Sequence, residues 1–201
     1  MIIVDNLTEL ERVEEISASL GKKTKISFRI KPGIEAHTHD YVKTGQIDSK
    51  FGLALENGEA LEAIRRICSN YAHLELVGLH SHIGSQIFDA EPFMETARVM
   101  LRFLKTIQET TGKTLKHLSL GGGLGVKYTE SDTPMPLEEA IKMISEAVTD
   151  ECEKLSLELP ELSVEPGRSI VGEAGTTLYT VGSVKEIVGI RNYIAIDGGM
   201  T

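Results

Sequence analysis

The sequence has no tryptophan, only two cysteines and six prolines in 201 residues, and no apolar run that approaches the ~20 residues a membrane-spanning helix needs. The cysteines, Cys68 and Cys152, stand in separate helix-like segments far from any C-x-x-C spacing. That excludes a disulfide framework and leaves both as structural thiols. Positive charge is also in deficit, with 21 Lys and Arg against 30 Asp and Glu for a formal charge of −9. A chain so acidic lacks the clustered cations with which nucleic-acid and anionic-membrane binders displace counterions, so neither partner is expected and small-molecule chemistry is. The opening Met1-Ile2-Ile3-Val4-Asp5 has no basic segment and no cleavage site, which makes the cytoplasm the expected compartment. The composition is that of a soluble globular protein with one sizeable core rather than two domains. A complete (β/α)8 barrel, typically about 250 residues, does not fit.

What is present is an alternation of short β-branched runs with longer amphipathic ones, uninterrupted by linkers or low complexity. Strands are predicted at 2–4, 25–30, 74–79, 115–120 and 162–164, and helices at 8–20, 59–69, 92–111 and 137–157. Asn6 with Glu9 suits a capping box, Gly21 suits the position after a helix end, and Pro92 suits a first helical turn. Residues 31–52 form a connection longer than most and therefore a functional candidate. After residue 175 the pattern changes to strands at 176–188 and 193–196 with no long helix between them, an entry into antiparallel structure. His82, Gly121 and Glu165 each fall just beyond a strand, one βα unit apart. Barrel enzymes assemble their sites at such strand ends.

Three segments carry chemistry. The run Gly121-Gly122-Gly123-Leu124-Gly125 lets backbone N–H groups approach an anion, although it is neither a Walker A sequence nor G-x-G-x-x-G in register; otherwise it is a tight strand exit. His80 and His82, two apart, share a face on a strand. They read as a metal pair, as a buried core pair, or as an imidazole stacked on an aromatic cofactor with Ser85 donating to its phosphate. The metal reading lacks ligands, since His73 and His117 precede or open strands at the opposite end, although His37 and His39 remain open. Glu165-Pro166-Gly167-Arg168 places a carboxylate at a strand end, able to keep a pyridine nitrogen protonated, and a guanidinium able to meet a phosphate or a substrate carboxylate. The alternative is a local ion pair at a turn. A phosphorylated pyridine ring uses all three segments at once.

With those segments, 80–86, 120–125 and 165–175, and the closing Ile194-Ala195-Ile196-Asp197-Gly198-Gly199-Met200, the sequence resembles the fold-type III pyridoxal-phosphate decarboxylases over nearly its whole length. The 31–52 loop, with His37, His39, Tyr41, Thr44 and Ser49 to Gly52, is more similar to the branch acting on diaminopimelate than to those acting on ornithine or arginine. The resemblance implies a partial TIM (β/α)8 barrel of the alanine-racemase-like type over 1–175 and the entry strands of a C-terminal β-domain over 176–201. It implies pyridoxal 5'-phosphate as cofactor, with His82 stacked on the ring and Glu165 paired with the ring nitrogen as the catalytic residues. Ser85, Gly122 and Gly123 then hold the phosphate, Pro166, Gly167 and Arg168 complete the phosphate and substrate side, Arg168 contacts substrate, and His80 supports His82. No metal is implied. The implied reaction converts meso-diaminopimelate to L-lysine and CO2, in a homodimer.

The family's cofactor-bearing lysine, in an aromatic-Ala-x-Lys-Ala context, has no counterpart here. Nor do its later DNPRP-type and CESGD-type segments. The chain is accordingly expected to be an interior piece of a decarboxylase, inactive alone. Two alternatives stay open: a non-catalytic pyridoxal-phosphate binder, and a metal-dependent barrel hydrolase using His80 and His82.

Overall fold

The computed structural model describes residues 1–34 and 50–199. The residues His37, His39, Tyr41, Thr44 and Ser49 of the long connection lie outside the described residues. Two compact units are found, Met1–Ile170 and Val171–Thr201.

The first unit is a parallel sheet with helical crossovers. Its strands are β1 (Ile2–Val4), β2 (Thr24–Lys31), β3 (Leu53–Ala54), β4 (Leu74–His80), β5 (His117–Ser119) and β6 (Glu161–Ser163). Hydrogen bonding runs β1-β2-β4-β5-β6, all parallel, with β3 on the C-terminal end of β2. The sequence reading missed β3, whose two residues are too few to show a period. β5 and β6 are shorter than, or offset from, their predicted ranges, because only three residues of each meet a neighbour in strand register.

The helices α1 (Leu7–Ser19), α2 (Glu59–Asn70), α3 (Glu91–Thr111) and α4 (Leu137–Leu155) follow the apolar stripes that predicted them. At the start of α1 the Asn6 carboxamide accepts the Glu9 N–H at 2.9 Å. The Glu9 carboxylate accepts from Asp5 N–H at 2.6 Å, one residue before the partner a regular capping box would use. A short α5 (Gly167–Val171) was not predicted, since five residues carry no stripe.

Phe28, Ile30 and Leu79 from the strands and Met100, Leu101 and Ile107 from α3 are wholly buried, in one cluster that Ile144 and Val148 of α4 complete. Each such side chain contributes about 1.5–3 kcal/mol by leaving water. Cys152 is buried and Cys68 half-buried, both as free thiols. Among the described residues no helix is long and apolar enough to cross a membrane.

One row of the sheet positions the site. Arg29, His80, Ser119 and Ser163 are successive register partners across β2, β4, β5 and β6. In-register parallel partners project to the same face, so Arg29, His80 and Ser119 are neighbours although 90 residues of sequence separate the first from the last. The ladder continues past the strands. Ser81 N–H donates to Ser119 O at 2.9 Å, Leu120 N–H to Ser163 O at 3.0 Å, and Glu165 N–H to Gly121 O at 2.8 Å. Gly78 is required by this close approach, because a Cβ there would strike the His117 carbonyl.

The second unit contains the antiparallel pair β7 (Val181–Ile187) and β8 (Arg191–Ile196), joined through Gly189 at φ +75°. The strand predicted from 176 begins only at Val181. Asp197 accepts the Thr180 N–H at 2.7 Å, tying the two ends of the hairpin.

Candidate functional site

The C-terminal ends of β4, β5 and β6 enclose a cleft of about 240 Å³ lined by His82, Ser85, Gly122, Gly123, Leu124, Glu165, Gly167 and Arg168. Apart from Pro166, every residue nominated from the sequence as cofactor-binding lies on its wall.

The glycine run has two tasks here. At Gly123, φ is +103° and a Cβ would collide with the Gly84 carbonyl, while a Cβ at Gly122 would collide with the Glu165 carbonyl. Bare backbone is therefore what lets three strand ends close around one space. The amides are also used. Gly122 N–H donates to Nδ1 of His82 at 3.2 Å, and Gly121 N–H to Oγ of Ser119 at 3.2 Å. With Nδ1 accepting, a neutral His82 carries its proton on Nε2.

Glu165 Oε1 accepts from Ser119 Oγ at 2.9 Å and lies 3.2 Å from Nε2 of His80. His80, expected to support His82, places its Nε2 against the carboxylate just beyond β6. Burial pushes both imidazoles below their ordinary range. Arg29 lowers both further, and Glu165 opposes it. Both rings are therefore neutral near pH 7, suited to stacking and hydrogen bonding. Nδ1 of His82 and Nε2 of His80 have separate partners, and among the described residues no group of three His, Cys, Asp or Glu side chains converges as a metal site.

Three contributors escaped the sequence reading. Arg29 lies 3.7 Å from Asp5, with its guanidinium 4.3 Å from the Phe51 ring centroid, and its field reaches both histidines. Ser119 looked like an ordinary strand residue. Gln86, at φ +61°, donates to Val126 O at 2.6 Å and accepts from Val126 N–H at 3.2 Å, clamping the glycine run to the loop after β4. Only Gln86 had a signal, as part of the 80–86 segment.

The donor set fits a planar, phosphorylated, basic ring. Glu165 is a carboxylate for a protonated ring nitrogen, His82 offers a neutral imidazole face, and Ser85, the glycine backbone and Arg168 suit a phosphate. The sequence profile described as "Pyridoxal-dependent decarboxylase, pyridoxal binding domain" matches residues 1–172. The chain belongs to the pyridoxal-dependent decarboxylase family.

Within this family, diaminopimelate decarboxylase of Bacillus subtilis is 46% identical over 199 residues, covering 99% of this chain and 45% of the relative. That of Bacillus methanolicus is 47% identical over 200 residues, covering 100% of this chain and 46% of the relative. Among solved structures, diaminopimelate decarboxylase from Helicobacter pylori complexed with L-lysine superposes with a TM-score of 0.76 at 35% identity, over 98% of this chain and 46% of that one. The enzyme from M. jannaschii gives 0.74 at 35% identity, over 98% and 44%. The parallel α/β unit described above thus matches the barrel domain of pyridoxal-dependent decarboxylases, and the chain spans just under half the length of the relatives it matches.

Proposed function

We propose that this chain supplies the cofactor-binding face of a decarboxylase that converts meso-diaminopimelate to L-lysine and CO2. The observation that carries the reading is the convergence of His82, Glu165 and the glycine run on one cleft. Identities of 46–47% to diaminopimelate decarboxylases and the lysine complex of the Helicobacter pylori relative support the substrate class. We assign His82 to the ring face, and Ser85, Gly123 and Arg168 to the phosphate. Gly122 acts through His82, and Pro166 and Gly167 fix the turn that carries Arg168. Arg168 also serves the substrate carboxylate, and Glu165 the ring nitrogen.

Pyridoxal phosphate, when bound, supplies an electron sink for the pair left behind as CO2 departs. Glu165 keeps the ring nitrogen protonated, so that the sink stays deep. His82, held neutral by burial and fixed by Gly122, covers one face of the ring and excludes water from it. Arg168 fixes charge at the rim. We assign residues 1–175 to a barrel and 176–201 to the entry of a β-domain. We further propose a cytoplasmic protein acting as a homodimer.

The test is titration of the chain with pyridoxal phosphate, followed by absorbance and by borohydride reduction. Reversible, saturable binding that His82→Ala weakens is expected. No adduct is expected, because no aromatic-Ala-x-Lys-Ala segment is present. Failure to bind would sink the reading, and an adduct mapping to a lysine of this chain would overturn the non-covalent assignment. In the whole decarboxylase, Glu165→Ala should lower kcat roughly 10²–10³-fold, the size of losing one preorganised electrostatic group. An unchanged kcat would remove Glu165 from its role.

A further inference from the structure

We propose that His80 and Ser119 are positioning residues for Glu165, two neutral donors on adjacent strands that engage one carboxylate oxygen and leave the other for the cleft. This rests on the pyridoxal-phosphate reading above and deepens it.

The order of the hydrogen bonds follows from the donors. Gly121 N–H can only donate, and it meets Ser119 Oγ at 3.2 Å, so the hydroxyl accepts there and turns its own hydrogen to Glu165 Oε1 at 2.9 Å. His80 Nε2 lies 3.2 Å from the same oxygen. The His80 side chain is only 7% exposed, and its Nδ1 has no partner among the described residues. A charged ring would bury an N–H at Nδ1 with nothing to accept it. A neutral ring with its hydrogen on Nε2 leaves only a lone pair there, the cheaper arrangement, and Nε2–H then donates to Oε1.

Burial opposes the charged form in the same direction. Of the groups around this ring, Arg29 acts with burial, while Glu165 and Asp5 act against it.

The placement is rigid. His80 and Ser119 are register partners on β4 and β5, and the Glu165 N–H is itself tied to Gly121 O at 2.8 Å. Both donors therefore sit on the sheet rather than on loops, which suits a group that must hold a fixed direction. Their neutrality matters as much. A lysine or arginine at either position would orient the carboxylate but also compensate its charge, in competition with a protonated ring nitrogen. Two neutral donors orient Glu165 without adding a charge of their own to that of Arg29, whose longer-range attraction the carboxylate already feels, and its side chain is 53% exposed to the cleft.

Two readouts on the chain test this. In the cofactor-free protein, long-range proton–nitrogen correlation of the histidine rings should show His80 as the neutral Nε2–H form near pH 7, with a hydrogen-bonded proton that Glu165→Ala removes. A charged ring or the Nδ1–H form would overturn the assignment. With pyridoxal phosphate labelled with nitrogen-15 in its ring, the bound nitrogen should resonate as protonated in the unaltered protein and shift toward the unprotonated range in His80→Leu and Ser119→Ala. His80→Gln and Ser119→Thr, which keep a donor at the same place, should restore it. A variant that is merely unfolded would lose binding altogether, whereas the predicted variants bind with a changed signal. An unchanged nitrogen signal in both loss variants would overturn the inference and leave the cofactor reading standing. If the unaltered chain does not bind the cofactor, the reading itself fails, and the ring-tautomer spectrum alone decides the hydrogen-bond order.

Discussion

At the scale of single residues, His80 and His82 couple the fold to pH. Both imidazoles are lowered by burial, so between the folded and unfolded values the unfolded chain holds protons that the folded chain does not. Stability from this source is complete above the ordinary imidazole value, about 6.5, and is lost as pH falls through the folded values. Thermal denaturation between about pH 7 and 5.5 should therefore show a falling midpoint, and His80→Gln should flatten it. A midpoint that rises on acidification would show that Glu165 outweighs burial and Arg29 at these rings. Residue type was legible here: His82, Glu165 and the glycines announce themselves by falling at strand ends. The partner of His80 was not legible, because a period of two says which face a side chain takes and nothing about what lies across the sheet.

At the scale of elements, α3 and α4 pack side by side over the sheet, and a charge is buried between them. The Glu151 side chain is only 6% exposed, with Arg102 Nε at 2.9 Å and Lys154 at 3.8 Å. Arg102 itself is 57% exposed, so water screens part of the pair. Arg102→Ala should cost about 1–2 kcal/mol, above a surface pair but below the ~3–5 kcal/mol of breaking a fully buried one, since Lys154 remains. Urea unfolding measures it, and a loss under about 0.5 kcal/mol would mean that Glu151 is solvated by other means. The four long helices were readable, because their apolar stripes recur over roughly three to six turns. The two-residue β3 and the five-residue α5 were not, being too short for a period to repeat.

At the scale of the whole molecule, the parallel sheet ends in β1 and β6, each paired on one side only among the described residues. In the second unit Val181, Val184, Tyr193, Ile194 and Ile196 are all substantially exposed, on both faces of the hairpin. Open strand edges and uncovered apolar side chains favour association with another chain. The chain by itself is expected to self-associate in sedimentation velocity. A monodisperse monomer with a cooperative melt would show that these surfaces are tolerated.

The sequence alone determined the main βα order, the four long helices and the change to antiparallel strands, and its motifs carried the resemblance to a pyridoxal-dependent family. These depend on local periodicity and on residues whose chemistry is fixed wherever they sit. Only the tertiary structure decided that Arg29, His80 and Ser119 form one row, that Gly122 donates to His82, and that His80 and Ser119 from neighbouring strands both reach one oxygen of Glu165. Those facts depend on strand register, which is set by the packing of the whole sheet rather than by any one segment of it.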